Sequence, residues 1–190
     1  MTGATTLPTP HGPVVVLVGN PGSGKTTVGK AVAKQLGVAF RDTDRDIERA
    51  SGSSISDIFI EQGEEHFRVL EREAVTLALQ EHEGVLALGG GAILSSETRA
   101  QLGHGTVAYL RVGLAAAMQR LQMNRSRPLL VGNVRGRWQQ LAQERDPLYE
   151  EVATFSVSTD NRTPQEVAEI VIGAITTRLS RAQEPSSDRE

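Results

Sequence analysis

Residues 19–26 read Gly-Asn-Pro-Gly-Ser-Gly-Lys-Thr, a G-x-x-x-x-G-K-[ST] run. Successive backbone N–H groups of such a loop turn inward on phosphate oxygens, because glycine carries no Cβ to block the approach. The helix that follows adds the positive end of its dipole. In that chemistry Gly22, Ser23, Gly24, Lys25, Thr26 and Thr27 cradle a nucleotide, with Lys25 reaching the β- and γ-phosphates and the Thr26 hydroxyl going to Mg²⁺. Kinases, ATPases and GTPases all use this loop, so it points to a phosphoryl donor and leaves the acceptor open.

Four further groups of residues could complete a site. Asp42 and Asp44 follow an apolar run, at what would be the carboxyl end of a strand, where ligands of open α/β sheets gather. Alternate positions of an extended segment face one side, so the two carboxylates could serve Mg²⁺ and a hydroxyl nucleophile; Asp44 and Asp46 also precede a helical stretch and suit an N-cap. Gly89, Gly90 and Gly91 follow another apolar run and permit close backbone approach to a ligand. Arg127 and Arg145 fall in or near an irregular segment, where arginines can clamp a phosphoryl group or a carboxylate. Arg68, with Glu71 and Arg72 near it on a helix face, reads by itself as a surface arginine. Trp138 and Tyr149 read as packing residues, and the four histidines show no metal-ligand spacing.

The elements that must hold these groups follow from periodicity. Residues 14–18 form a β-branched run of the kind buried on both faces of a parallel sheet. Val28, Ala31, Val32 and Leu36 then recur at helical spacing up to a stop at Gly37. A short strand over 38–40 leads to the aspartates, and helices are predicted over 46–50 and 55–82, the latter burying Phe67, Leu70, Ala74, Leu77 and Ala78. Strands at 85–88, 106–110 and 155–158, and a helix over 114–123, complete the pattern. Thr163-Pro164-Gln165-Glu166 opens a last helix as a capping box, with Val167, Ile170, Val171, Ala174, Ile175 and Leu179 on its buried face. Five apolar strands alternating with helices predict an α/β sandwich on a parallel sheet.

At 190 residues the chain fits a single domain, expected over 13–180 between a flexible leader (1–12) and a flexible tail (181–190). A net charge of −3 supplies no basic field for nucleic acid, and with no cysteine there is neither a disulfide framework nor a thiolate site. No apolar run is long enough for a signal segment or a membrane span, which fits a cytoplasmic protein.

Taken in order, the motifs resemble the shikimate kinase family. Beyond the phosphate loop they are Asp42-Thr43-Asp44, Gly63-Glu64 leading to Phe67-Arg68, Gly89-Gly90-Gly91-Ala92, Arg127-Pro128-Leu129-Leu130, Arg145-Asp146-Pro147-Leu148-Tyr149 and Asp160-Asn161-Arg162. The resemblance implies a three-layer αβα P-loop kinase fold, nucleoside-monophosphate-kinase-like, with five parallel strands in the order 2-3-1-4-5. It implies a substrate-binding region near 43–71 and a lid near 122–135. The reaction it implies is transfer of the γ-phosphoryl group of ATP to the 3-hydroxyl of shikimate with Mg²⁺ present; a monomer with neither nucleic acid nor membrane as partner is expected.

Carried across position by position, Asp44, Arg68, Gly89, Gly90, Gly91 and Arg145 would bind shikimate, the arginines taking its carboxylate and Asp44 its hydroxyls. Thr26 would ligate Mg²⁺, with Asp42 reaching the ion through water. Arg127 would reach ATP from the lid, and Arg120 and Arg162 would border the adenine; Lys25, Asp44 and Arg127 would carry the chemistry. Thr26 stands where the family often has Ser, which keeps the hydroxyl, and Asn20 stands where an apolar residue is more usual. Gluconate kinases share the fold and loop, and a non-catalytic ligand sensor on the same fold is a third reading.

Overall fold

A computed structural model describes residues 12–123 and 133–183. Strand β1 (Val15–Val18) is buried along its whole length and sits at the centre of a five-stranded sheet. It pairs in parallel with β3 (Val85–Ala87) on one side and β4 (Val107–Arg111) on the other; β2 (Phe40–Asp42) lies outside β3, and β5 (Phe155–Ser158) outside β4. The order β2-β3-β1-β4-β5 is the one expected. Because every strand runs the same way, the segments after β1, β2, β3 and β5 all emerge along one edge of the sheet, where the site must form.

The alternation of β1 explains the layers. Val15 and Leu17 point into a core shared with Val28 and Val32 of helix α1 (Lys25–Leu36) and with Val167, Val171 and Ile175 of α8 (Pro164–Gln183). Val16 and Val18 point the other way, onto Val75 and Ala78 of α4 (Gly63–Glu81), Leu102 of α5 (Ser96–Leu102) and Tyr149 of α7 (Val134–Val152). A smaller core of Ile47, Ile58 and Phe67 joins α2 (Thr43–Ser51), α3 (Ile55–Glu61) and the start of α4, and another of Ala117, Met118, Trp138 and Ala142 joins α6 (Leu114–Met123) to α7. Among the described residues, no helix is long and apolar enough to cross a membrane.

Several boundaries differ from the periodicity reading for visible reasons. β2 starts at Phe40 because the Val38 N–H is taken by the Ala33 carbonyl (3.0 Å) where Gly37 ends α1 with φ +68°. The predicted 55–82 helix is two helices, since the Gln62 N–H closes α3 on Ile58 and Gly63 turns the chain with φ +83°. The buried line of α4 is Phe67, Glu71, Val75 and Ala78, whereas Leu77 is 47% exposed. Ile170 of α8 also faces outward. The capping box forms as expected: Thr163 donates through N and Oγ1 to Glu166 Oε2 (2.7 and 2.8 Å), and the Glu166 N–H returns to Thr163 Oγ1 (3.2 Å). The Thr163 backbone hydrogen bond holds the Glu166 carboxyl below its ordinary range. Helix α8 continues to Gln183, three residues past Ser180.

Candidate active site

The 19–26 loop runs from the end of β1 into α1. Gly22 and Gly24 adopt φ +84° and +90°, and Gly24 caps α1 without a side chain, so no acceptor of its own competes for the donors at the helix start. A Cβ on Gly22 would lie 3.1 Å from the Ala117 carbonyl, because α6 packs directly over the loop. Lys25 is only 8% exposed, and its Nζ donates to the Gly19 carbonyl at 2.7 Å and reaches that of Asn20 at 3.4 Å. Ser23 is fully buried, and its Oγ meets no partner among the described residues. Thr27 is exposed. A buried ammonium at the head of an uncapped helix and a turn that only glycine tolerates together fit a polyphosphate.

Thr26 Oγ1 donates to Asp42 Oδ2 at 2.8 Å, bringing together a hydroxyl and a carboxylate that the sequence separates by a strand and a helix. This is a hard-oxygen pair beside the phosphate loop, and its chemistry fits Mg²⁺. Asp42 also caps α2, accepting from the Asp44 N–H at 3.1 Å. Asp44 therefore stands in the first turn of a helix and not in an extended segment, which corrects the expected alternation of the two carboxylates; the capping role expected near Asp44 and Asp46 belongs to Asp42.

The glycine triplet is where the charged groups converge. The Gly89 N–H is held by Thr43 Oγ1 at 3.1 Å, and a Cβ on Gly89 would overlap Asp44 Oδ1 and come within 2.9 Å of Glu71 Oε1. A Cβ on Gly91 would overlap the Arg68 guanidinium, and one on Gly90 would lie 3.6 Å from each of Arg145 Nη1, the Gly19 carbonyl and Pro21. Three successive positions thus touch Asp44, Arg145 with the phosphate loop, and Arg68. Arg145 is 6% exposed and donates from Nη1 to the Gly90 carbonyl at 3.1 Å, while its Nε is buried with no partner among the described residues. Arg68 is no free surface arginine: it bonds Glu71 at 2.6 Å and Glu64 at 2.9 Å. Burial pushes the Glu71 carboxyl up, against the pull of the Arg68 charge and hydrogen bond. Burial also works against the Arg68 charge, but Glu71 and Glu64 outweigh it and raise the guanidinium above its ordinary value.

On the other flank, Arg120 donates to the Gly22 carbonyl (3.1 Å) and to Thr159 Oγ1 and O (2.9 and 2.7 Å), bracing the phosphate loop against the segment after β5. Arg162 lies on the surface, bonded to the Ser158 carbonyl at 2.6 Å. Arg127 and the rest of Arg127-Pro128-Leu129-Leu130 lie outside the described residues. Among the described residues, no three acidic or histidine side chains cluster as a metal site. Thr43 and Asp146 stand in the quoted motifs without a role of their own, and the sequence marks neither Tyr109 nor Glu71 for the site. Glu71 was visible only as a charge three residues after Arg68, and its burial is a tertiary fact.

A family model described as "Shikimate kinase" matches residues 21–176. The chain belongs to the shikimate kinase family. The shikimate kinase of Thermobifida fusca (strain YX) is 54% identical over 159 residues, covering 84% of this chain and 92% of that protein. A solved shikimate kinase from Acinetobacter baumannii, in complex with shikimate, superposes with a TM-score of 0.84 at 37% identity, covering 88% of this chain and 94% of that one. A gluconokinase from Sinorhizobium meliloti 1021 superposes with a TM-score of 0.58 at 15% identity and shares the fold alone. Membership in the shikimate kinase family makes the chain an ATP-dependent small-molecule kinase.

Proposed function

We infer that this chain is a shikimate kinase, transferring the γ-phosphoryl group of ATP to the 3-hydroxyl of shikimate to give shikimate 3-phosphate and ADP. The observation that carries this reading is the meeting of Asp44, Arg68 and Arg145 with the phosphate loop across Gly89-Gly90-Gly91. Two guanidiniums suit a carboxylate, and a carboxylate two residues after Thr26's partner suits hydroxyls. The named relatives support the choice of acid: they are shikimate kinases, while the likeness to gluconokinase stops at the fold.

In this reading Arg68 and Arg145 bind the shikimate carboxylate, and Gly89, Gly90 and Gly91 let the ring lie against the backbone. Asp44 orients the 3-hydroxyl and takes its proton as the oxygen attacks the γ-phosphorus. Lys25 and the N–H groups of Gly22 to Thr27 hold the phosphates and neutralise the charge of the transferring group, with Arg127 adding to them from the lid. Thr26 and Asp42 hold Mg²⁺, which supplies further charge neutralisation when bound. Arg120 and Arg162 border the adenine. Closing the lid over 122–135 excludes water as a rival acceptor. The enzyme works as a cytoplasmic monomer without a nucleic-acid or membrane partner.

The test is ADP release by the purified protein with ATP and Mg²⁺, offered shikimate or gluconate in parallel. Turnover with shikimate and little without acceptor is expected; turnover with gluconate alone would transfer the chain to the second reading.

A further inference from the structure

Helix α7 is bonded to both halves of the site. Toward the phosphate loop, Trp138 Nε1 donates to the Pro21 carbonyl at 2.9 Å, and Asp146 Oδ1 accepts from Asn20 Nδ2 at 2.6 Å. Toward the glycine triplet, Arg145 Nη1 and Tyr149 OH both donate to the Gly90 carbonyl, at 3.1 and 2.6 Å. Between them Tyr109, from β4, donates its hydroxyl to the same Asp146 oxygen at 2.7 Å and stacks on Tyr149 with ring centroids 5.0 Å apart. Burial pushes both phenols up, so each remains a donor over the working pH range.

Asn20 is the member that packing does not explain. It is 3% exposed, and its Oδ1 is buried with no partner among the described residues. The orientation of the amide is dictated by its neighbour, since a carboxylate can only accept and must therefore face the NH₂. An apolar side chain of similar size would leave no unmet acceptor in that place, so the oxygen end of the amide carries a desolvation cost that its other end must offset. What the amide provides is the bond to Asp146, the residue next to Arg145.

We propose that Asn20 and Asp146 are positioning residues for the acceptor: their bond sets α7 against the phosphate loop and so aims the Arg145 guanidinium. The proposal rests on the reading that Arg145 faces an anionic acceptor. Asn20 belongs to the phosphate loop, yet the nucleotide is held there by backbone N–H groups and Lys25, neither of which needs the side chain at position 20. Removing that side chain is read on the acceptor and not on the nucleotide.

The experiment is steady-state kinetics of Asn20→Ala, Asp146→Ala, the double variant and Asp146→Asn, with melting curves to confirm folding. Each alanine variant is expected to raise KM for shikimate about tenfold, while KM for ATP stays within about twofold of wild type. The double variant should be no worse than Asp146→Ala, because both single changes break the Asn20–Asp146 bond and Asp146→Ala alone also loses the one from Tyr109. Asp146→Asn keeps an oxygen for Tyr109 and Asn20 and should recover most of the loss. If an alanine variant does not fold, Asn20→Leu, which removes the donor at similar volume, and Asp146→Asn carry the same comparison. A change in KM for ATP alone, no change in either constant, or additive losses in the double variant would overturn the proposal. Failure of the functional reading is seen separately, as a wild-type protein that does not phosphorylate shikimate.

Discussion

Arg68 donates from Nη1 to Glu71 Oε2 at 2.6 Å, and only 4% of the Glu71 side chain is exposed. Residues three apart on a helix commonly pair at the surface, where such a bridge contributes little. Here α4 turns the pair inward, with Glu64 on the outer edge of the guanidinium and Gly91 leaving room beside it. Arg68 is therefore oriented before any ligand arrives.

The buried carboxylate makes stability depend on pH with a definite sign. Burial raises Glu71 above its ordinary value, so the folded chain keeps this proton to higher pH than the unfolded chain does. Its contribution is fully present below the ordinary carboxylate value and is lost as pH rises through the raised one. Glu71→Gln cannot titrate. The Tm of wild type minus that of Glu71→Gln should fall by a few degrees between about pH 4 and about pH 8; melting curves that show this difference growing with pH would contradict the direction.

Gly91→Ala tests the room left for Arg68. The added methyl would occupy the place of the guanidinium, the far end of a flexible side chain that can swing aside. We expect little change in Tm and a rise in KM for shikimate of about tenfold. A variant with unchanged KM would mean that Arg68 does not need that position.

Arg145→Ala should raise KM for shikimate more than KM for ATP, because its bond is to the Gly90 carbonyl and its buried Nε meets no partner among the described residues. The opposite ranking in initial-rate measurements would move this arginine to the nucleotide side.

Lys25→Met and Asp44→Asn should each abolish phosphoryl transfer and leave a folded protein, since one removes charge from the phosphates and the other the acceptor's proton carrier. Near-normal kcat in Asp44→Asn, with the fold verified by circular dichroism, would remove that carboxylate from the chemistry.

What could be read in advance follows how local each feature is. The phosphate loop was readable because chemistry and geometry share eight contiguous residues, and the capping box at Thr163 because it needs only four. Helix α7 was not: its buried positions are Trp138, Ala142, Arg145 and Tyr149, so an arginine interrupts the apolar spacing, and Pro147 removes a ladder bond inside it. Glu71 and Leu77 exchange their expected places because burial on α4 is decided by how α2, α3 and the glycine loop fold back against it, and not by spacing along α4 itself. The acceptor side of the site came from resemblance; periodicity alone left Arg68 on the surface and Asp44 in a strand.

The most direct test of the two-substrate site is the product itself, followed by ³¹P NMR while the protein consumes ATP in a mixture of equal shikimate and gluconate. The account predicts one new phosphomonoester, on the 3-oxygen of shikimate, appearing in step with ADP. Phosphogluconate, or inorganic phosphate released in step with ADP, would contradict it.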